Sequence, residues 1–148
     1  MVGRTLLREK RVGRFSVELE VANYGDMVLA ERGLLAANKV RRQMIAGVVD
    51  SGAAMLVLPE PVVKQLGLRL KRKARVRYAD GRTRQRWGAE GVHVRLLGRD
   101  DTFSAVVEPQ WKDALVGAIV LEALDLLVDS KKQRVLPRDA SGPLYEIE

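Results

Sequence analysis

This chain predicts an all-β fold with one or two short helices. Phe15, Val17, Leu19 and Val21 alternate with Ser16, Glu18, Glu20 and Ala22, the period of two expected of a strand with one buried face. Asp80-Gly81 stands between two strand-like runs, a strong short-range signal for a hairpin. Helical signals are confined to two short segments. With 148 residues and 47% apolar content, the chain has the size of one domain and can fill one core without covalent staples. The expected unit is a single domain over residues 1–148, with its core at about 15–137.

The first strand, 15–21, runs to a turn at Asn23-Tyr24-Gly25-Asp26. Residues 27–39 are compatible with an irregular excursion, a short strand, or a helical turn at 34–38. A strand pattern resumes at Val40 and continues through Met44, Ile45, Val48 and Val49 to Asp50, with Ala46-Gly47 as a bulge. The apolar run 55–58 then meets Pro59. Pro61 suits the first turn of a short helix, 61–66, which Gly67 stops. Residues 69–78 and 83–87 flank Ala79-Asp80-Gly81-Arg82 as the arms of a protruding hairpin. Val92, Val94 and Leu96 alternate with His93, Arg95 and Leu97, and Gly98-Arg99-Asp100-Asp101 turns the chain into a partner strand at 102–107. Beyond Pro109 and Trp111, Leu115-Val116-Gly117 leads to a short helix at 119–124 and to strands at 126–129 and 134–136.

Composition closes several routes. With no cysteine, disulfides, thiolate metal sites and cysteine nucleophiles are excluded, in keeping with a reducing, cytoplasmic setting. The N-terminal segment has no apolar signal region, and the greasiest stretch, 114–128, is broken by Glu122 and Asp125, so no membrane partner is expected. His93 has neither a cysteine nor a second histidine to join it, which leaves no metal site and no cofactor expected. Ser51 lacks a G-x-S-x-G elbow. Trp87 and Trp111 are read as core or rim residues. The net charge of +7 is concentrated at Arg69, Lys71, Arg72, Lys73, Arg75 and Arg77, with Arg82, Arg84 and Arg86 following. That run is either a solvated strand face or an acidic-partner or nucleic-acid surface, though no aromatic residues are interleaved as stacking platforms.

The carboxylate of Asp50 ends an apolar strand and enters the turn Ser51-Gly52-Ala53. Desolvating it costs free energy unless it is hydrogen-bonded, and a Gly-Ala turn brings backbone N–H donors close. The segments Asp50-Ser51-Gly52-Ala53, Leu58-Pro59, Lys64-Gln65-Leu66-Gly67-Leu68, the Ala79–Arg82 hairpin, and Leu115-Val116-Gly117 before Leu121-Glu122-Ala123-Leu124-Asp125 occur in this order. In this the chain resembles the retropepsin-like aspartic proteases, in particular their small bacterial members. The resemblance implies a single-lobe acid-protease barrel closed by homodimerisation, acting as an aspartic endopeptidase on peptide or protein substrates. It implies that Asp50 is catalytic, that Ser51 donates its hydroxyl across the dimer, and that Gly52 and Ala53 lend backbone contacts. Ala79, Asp80, Gly81 and Arg82 become the flap, and Leu115, Val116 and Gly117 a brace for the aspartate loop.

Peptide hydrolysis by carboxylates needs one ionised group to deprotonate water and one protonated group to polarise the carbonyl. Within the chain the lookalike is Asp129-Ser130-Lys131, where lysine replaces the turn glycine, so Asp129 is read as a turn residue. The twofold dimer that the resemblance implies would supply the second Asp50. Thr5 to Arg8 and Leu144 to Ile147 are the segments expected to help pair the chains. A catalytically idle dimerisation or peptide-binding module is the alternative, and a basic nucleic-acid-binding domain the third reading.

Overall fold

The computed structural model describes residues 14–148, so the expected pairing role of Thr5 to Arg8 lies outside the described residues. Nine strands and three short helices follow one another: β1 (Arg14–Asn23), α1 (Tyr24–Glu31), β2 (Arg42–Asp50), β3 (Leu56–Pro59), α2 (Glu60–Leu66), β4 (Arg69–Arg77), β5 (Thr83–Leu96), β6 (Arg99–Glu108), β7 (Ala114–Val116), α3 (Ala118–Ala123), β8 (Leu126–Asp129) and β9 (Arg134–Pro137), with a 3-10 turn at Ala37–Lys39. The all-β expectation holds.

The main sheet runs β1-β2-β7-β3-β6-β5-β4, and β1 also pairs with β5. Six strands therefore close a ring, β4 is an appendage on β5, and β8 and β9 form a separate hairpin. The ring of six strands closes within one chain, as a single-lobe barrel does. The reason is that β1 is long enough to pair twice: residues from Arg14 to Ala22 meet β2, and Glu20 to Asn23 also meet Arg95 to Val92 of β5. Closure removes the exposed strand edges that an open sheet would leave.

A bulge lets β5 serve two sets of neighbours. Its register with β6 shifts between Ala89 and Val92, and Gly91 there has φ +72°. The first half of the strand pairs with β4, the second with β6 and β1. Leu19, Val49, Leu56, Leu58, Val92, Val94, Val116 and Val120 fill the barrel, each at most 1% exposed, and each such aliphatic side chain contributes roughly 1.5–3 kcal/mol by leaving water.

Four local expectations are corrected. Asn23-Tyr24-Gly25-Asp26 begins helix α1 rather than a plain turn: the Asn23 side chain caps it by accepting from the Asp26 N–H at 2.9 Å. Ala46-Gly47 is no bulge, because the β1–β2 register runs unbroken through it. Gly47 is needed instead for close packing, since a Cβ there would stand 2.7 Å from Leu19 Cδ2 and 3.1 Å from Val116 Cγ2. The turn between β5 and β6 is only Leu97-Gly98, both with positive φ (54° and 75°), so Arg99, Asp100 and Asp101 already belong to the strand. The helix count is three, not one or two. No helix among the described residues is long and apolar enough to cross a membrane.

Candidate active site

Asp50 is the last residue of β2, carried there by two flanking strands. Val48 and Val49 pair in parallel with Leu115 and Val116 of β7, and Arg14 of β1 stands opposite Asp50 itself. The chain then turns back on the carboxylate. The Gly52 N–H donates to Asp50 Oδ1 at 3.0 Å, and the Ala53 N–H to the Asp50 carbonyl at 3.1 Å. Arg14 Nε lies 3.3 Å from Asp50 Oδ2 across the strand pair, and the Asp50 side chain keeps 27% of its surface exposed. This is a half-buried carboxylate with one open side.

The loop is clamped from below by the start of α3. The Ala118 N–H donates to the Ala53 carbonyl at 2.8 Å and the Ile119 N–H to the Ala54 carbonyl at 3.0 Å. These two helix N–H groups lack partners within the helix, and the loop carbonyls would otherwise lack partners too. Gly117 makes the approach feasible. Its backbone is extended (φ −91°, ψ −175°), so the glycine is required by space: a Cβ would meet the Ala53 carbonyl oxygen at 2.8 Å and the Met55 carbonyl oxygen closer still. Leu115 and Val116 are buried in β7, so the structure brings this whole segment beneath the Asp50 turn.

Ala79, Asp80, Gly81 and Arg82 form the tip of the β4–β5 hairpin. The Tyr78 N–H donates to the Arg82 carbonyl at 2.9 Å and the Gly81 N–H to the Tyr78 carbonyl at 2.9 Å, with Gly81 at φ +88°. Asp80 accepts from the Arg82 N–H at 2.9 Å and from its Nε at 2.7 Å, the first contact being the larger cause of an Asp80 carboxyl held below its usual range. A cluster invisible in the sequence ties this hairpin to the barrel. The Tyr78 hydroxyl donates to Glu108 at the end of β6, and Arg86 Nε donates at 3.0 Å to both the Tyr78 hydroxyl and Glu108 Oε1. Glu108 is 4% exposed. Burial first, and then the bond to Glu108, push the Tyr78 hydroxyl above its ordinary range.

The remaining candidates fall elsewhere. Asp129 closes the β8–β9 hairpin, accepting from the Lys132 N–H at 3.1 Å and lying 3.6 Å from Arg134 Nε, as a turn residue does. His93 is buried and its Nε2 is 2.7 Å from Asp100 Oδ2. Trp87 is a rim residue, 44% exposed, lining a hollow of about 150 Å³ with Val63, Leu68, Leu70 and Val107. Three participants escaped sequence reasoning: Arg14, the Tyr78–Arg86–Glu108 cluster, and the N–H groups of Ala118 and Ile119. None has a local signature: Arg14 acts through Asp50, Tyr78 and Arg86 converge on Glu108 at least 22 positions away, and Ala118 and Ile119 act through the distant Ala53 and Ala54.

No protein-family model matches the chain, and no curated protein matches it. Among solved structures it is similar to the EIAV protease complexed with the inhibitor HBY-793, at 15% identity over 74% of this chain and 86% of that one, with a TM-score of 0.49. It is also similar to the simian foamy virus (mac) protease in its solution structure, at 15% identity over 72% of this chain and 91% of that one, with a TM-score of 0.46. The strand pairings described above define the β-barrel independently of these two likenesses.

Proposed function

We propose that the chain is a retropepsin-like aspartic endopeptidase that works as a homodimer, each copy supplying Asp50. The observation that carries this reading is the Asp50 turn: one carboxylate, held by the Gly52 N–H at 3.0 Å and open on one side, on a loop clamped at two carbonyls by α3. A carboxylate held this rigidly is preorganised for proton transfer, but a single one cannot serve as base and acid together.

Exposed apolar side chains on the loop, on α3 and on the segment docked at the far end of α3 support a second copy as the source of the other carboxylate. Met55 in the loop is 40% exposed, Ile119 on α3 46%, Leu144 53% and Tyr145 58%. Tyr145 is docked by its hydroxyl on the Ala123 carbonyl at the end of α3, and the Leu144 N–H donates to Asp125 Oδ2 at 3.0 Å, so the C-terminal segment is held against the C-terminal end of α3. Apolar groups gathered beside a polar loop are the composition of an interface.

In the dimer the two Asp50 carboxyl groups share one proton, because adjacent like charges cannot both ionise readily. The ionised member takes a proton from water as its oxygen attacks the peptide carbonyl carbon. The protonated member gives its proton to the carbonyl oxygen, forming a neutral gem-diol. As the C–N bond breaks, one diol proton returns to the dyad and another proton passes from the dyad to the leaving nitrogen. The dyad ends singly protonated as it began. Ser51 steadies the paired loops across the twofold axis, the hairpin tip at Ala79 to Arg82 covers the substrate, and Leu115-Val116-Gly117 braces the loop.

Cleavage of a diverse peptide library between acidic and neutral pH, for the protein and its Asp50→Asn variant at concentrations where both sediment as dimers, tests the proposal. Cleavage abolished in the variant supports it. Equal cleavage by both would assign the activity to something other than Asp50, and no cleavage by either would favour an idle peptide-binding module.

A further inference from the structure

The β4–β5 hairpin carries a concentration of charge that the Asp50 chemistry does not use. β4 is the terminal strand of the main sheet, and beyond its ladder with β5 its backbone makes no hydrogen bond to another strand among the described residues. Of the cations on the hairpin, Arg69 is matched by Glu90, Arg82 by Asp80 and Arg86 by Glu108. Lys71, Arg72, Lys73, Arg75 and Arg77 on β4 and Arg84 on β5 are all exposed and have no carboxylate partner among the described residues, Lys71 donating instead to Ser104 Oγ at 2.9 Å. Lysines and arginines on an edge strand ordinarily repel unwanted pairing. Six such cations on one hairpin without a compensating acid go further, creating a field that attracts a polyanion.

Two observations distinguish which polyanion. The hairpin's aromatic faces are taken: the Lys73 ammonium lies 5.1 Å from the Trp87 ring centre, and the Arg82 and Arg86 guanidinium groups lie 5.6 and 6.0 Å from that of Tyr78. Bases of a single strand would have to compete with these cations for a stacking platform. The free backbone edge, in contrast, offers an extended polypeptide main-chain hydrogen bonds along the same line as the cations. We infer that the outer edge of β4 is a docking site for an extended acidic segment of a protein partner. The site stands whether or not the chain hydrolyses peptides, because it involves neither Asp50 nor its loop.

Fluorescence anisotropy with a labelled peptide alternating Glu and Thr tests this on the full-length protein. The peptide is expected to bind, and Lys73→Gln, Arg75→Gln and Arg77→Gln together should weaken it by about tenfold or more. Lys131→Gln, an exposed cation in the distant β8–β9 turn, should leave binding unchanged. The same peptide N-methylated at alternate residues should bind more weakly. Equal loss with Lys131→Gln would overturn the inference in favour of diffuse net charge, and undiminished binding of the N-methylated peptide would overturn edge pairing. So would tighter binding of a single-stranded oligonucleotide of equal charge, or no binding of the Glu/Thr peptide.

Discussion

Replacing Gly117 by alanine tests whether close packing beneath the Asp50 loop holds that loop in place. Alanine adopts an extended backbone such as that of Gly117 (φ −91°) without strain, so no conformational penalty enters. The added Cβ would instead face three backbone atoms: the Met55 and Ala53 carbonyl oxygens and the Ala54 carbonyl carbon, the last two at 2.8 Å. None can swing aside as a side chain could. Relief requires the loop to lift from α3, which stretches the bonds from Ala118 to Ala53 and from Ile119 to Ala54. Overpacking costs about 1–3 kcal/mol, and each weakened hydrogen bond up to about 1 kcal/mol. The sum, about 1–5 kcal/mol, corresponds to a fall in Tm of roughly 2–20 °C for a chain of this size. Gly33→Ala is the comparison: φ is +72° but no atom lies within 4 Å of its Cβ, so only about 1 kcal/mol is expected. Urea denaturation at one fixed protein concentration gives the energies, and amide exchange at Gly52 and Ala53 reports the loop. A Gly117→Ala protein no less stable than Gly33→Ala, with those two amides equally protected, would refute the packing argument.

Three further outcomes follow from the same contacts. The bond from Arg138, followed by that from the Leu144 N–H, holds the Asp125 carboxyl below 3.8, and Arg41 does the same for Asp26. A depressed folded value means that this stability is complete above about pH 4–5 and is lost as pH falls through the folded values, so Asp125→Asn should flatten the acid limb of a stability–pH curve. Tyr78→Phe removes the hydroxyl shared by Arg86 and Glu108; amide exchange in the β4–β5 hairpin should quicken by about tenfold, with barrel amides unchanged, if the cluster anchors the hairpin. Deleting Leu144 to Glu148 exposes the end of α3 and should raise the dimer dissociation constant in sedimentation equilibrium, whereas an unchanged constant would remove this segment from the interface.

Much of the fold was legible because strands with one wet face write their period into the residues. Alternation at Phe15 to Val21, Asp80-Gly81 at a hairpin tip and Gly67 after a short helix, now seen at φ +63°, each express a local preference. Helix α1 was not legible by period, because Asp26 is its only buried residue while Tyr24 and Leu29 stay 44% and 42% exposed. It is held by polar anchors instead: Asn23 caps it and reaches the Leu66 carbonyl at 2.8 Å, and Asp26 binds the Arg41 side chain at 2.8 and 3.0 Å. The Asn-x-x-Asp spacing ahead of Met27-Val28-Leu29-Ala30 was the available signal. Gly47 was misread as a bulge because a glycine required by a neighbouring strand looks the same, in one dimension, as a glycine required by its own backbone.

By itself the sequence determined the strand-rich class, the Asp80-Gly81 hairpin tip and Asp50 as the candidate carboxylate, since these depend on side-chain period, backbone preference and residue type within a few positions. Only the tertiary structure decided that the ring closes through β1 and β5, that Arg14 faces Asp50, and that α3 clamps the loop. It also decided that Tyr78, Arg86 and Glu108 converge and that β4 is left as a basic edge. Those outcomes depend on register and close approach between segments far apart in the chain, where one residue of slip or one extra methyl group changes which atoms meet.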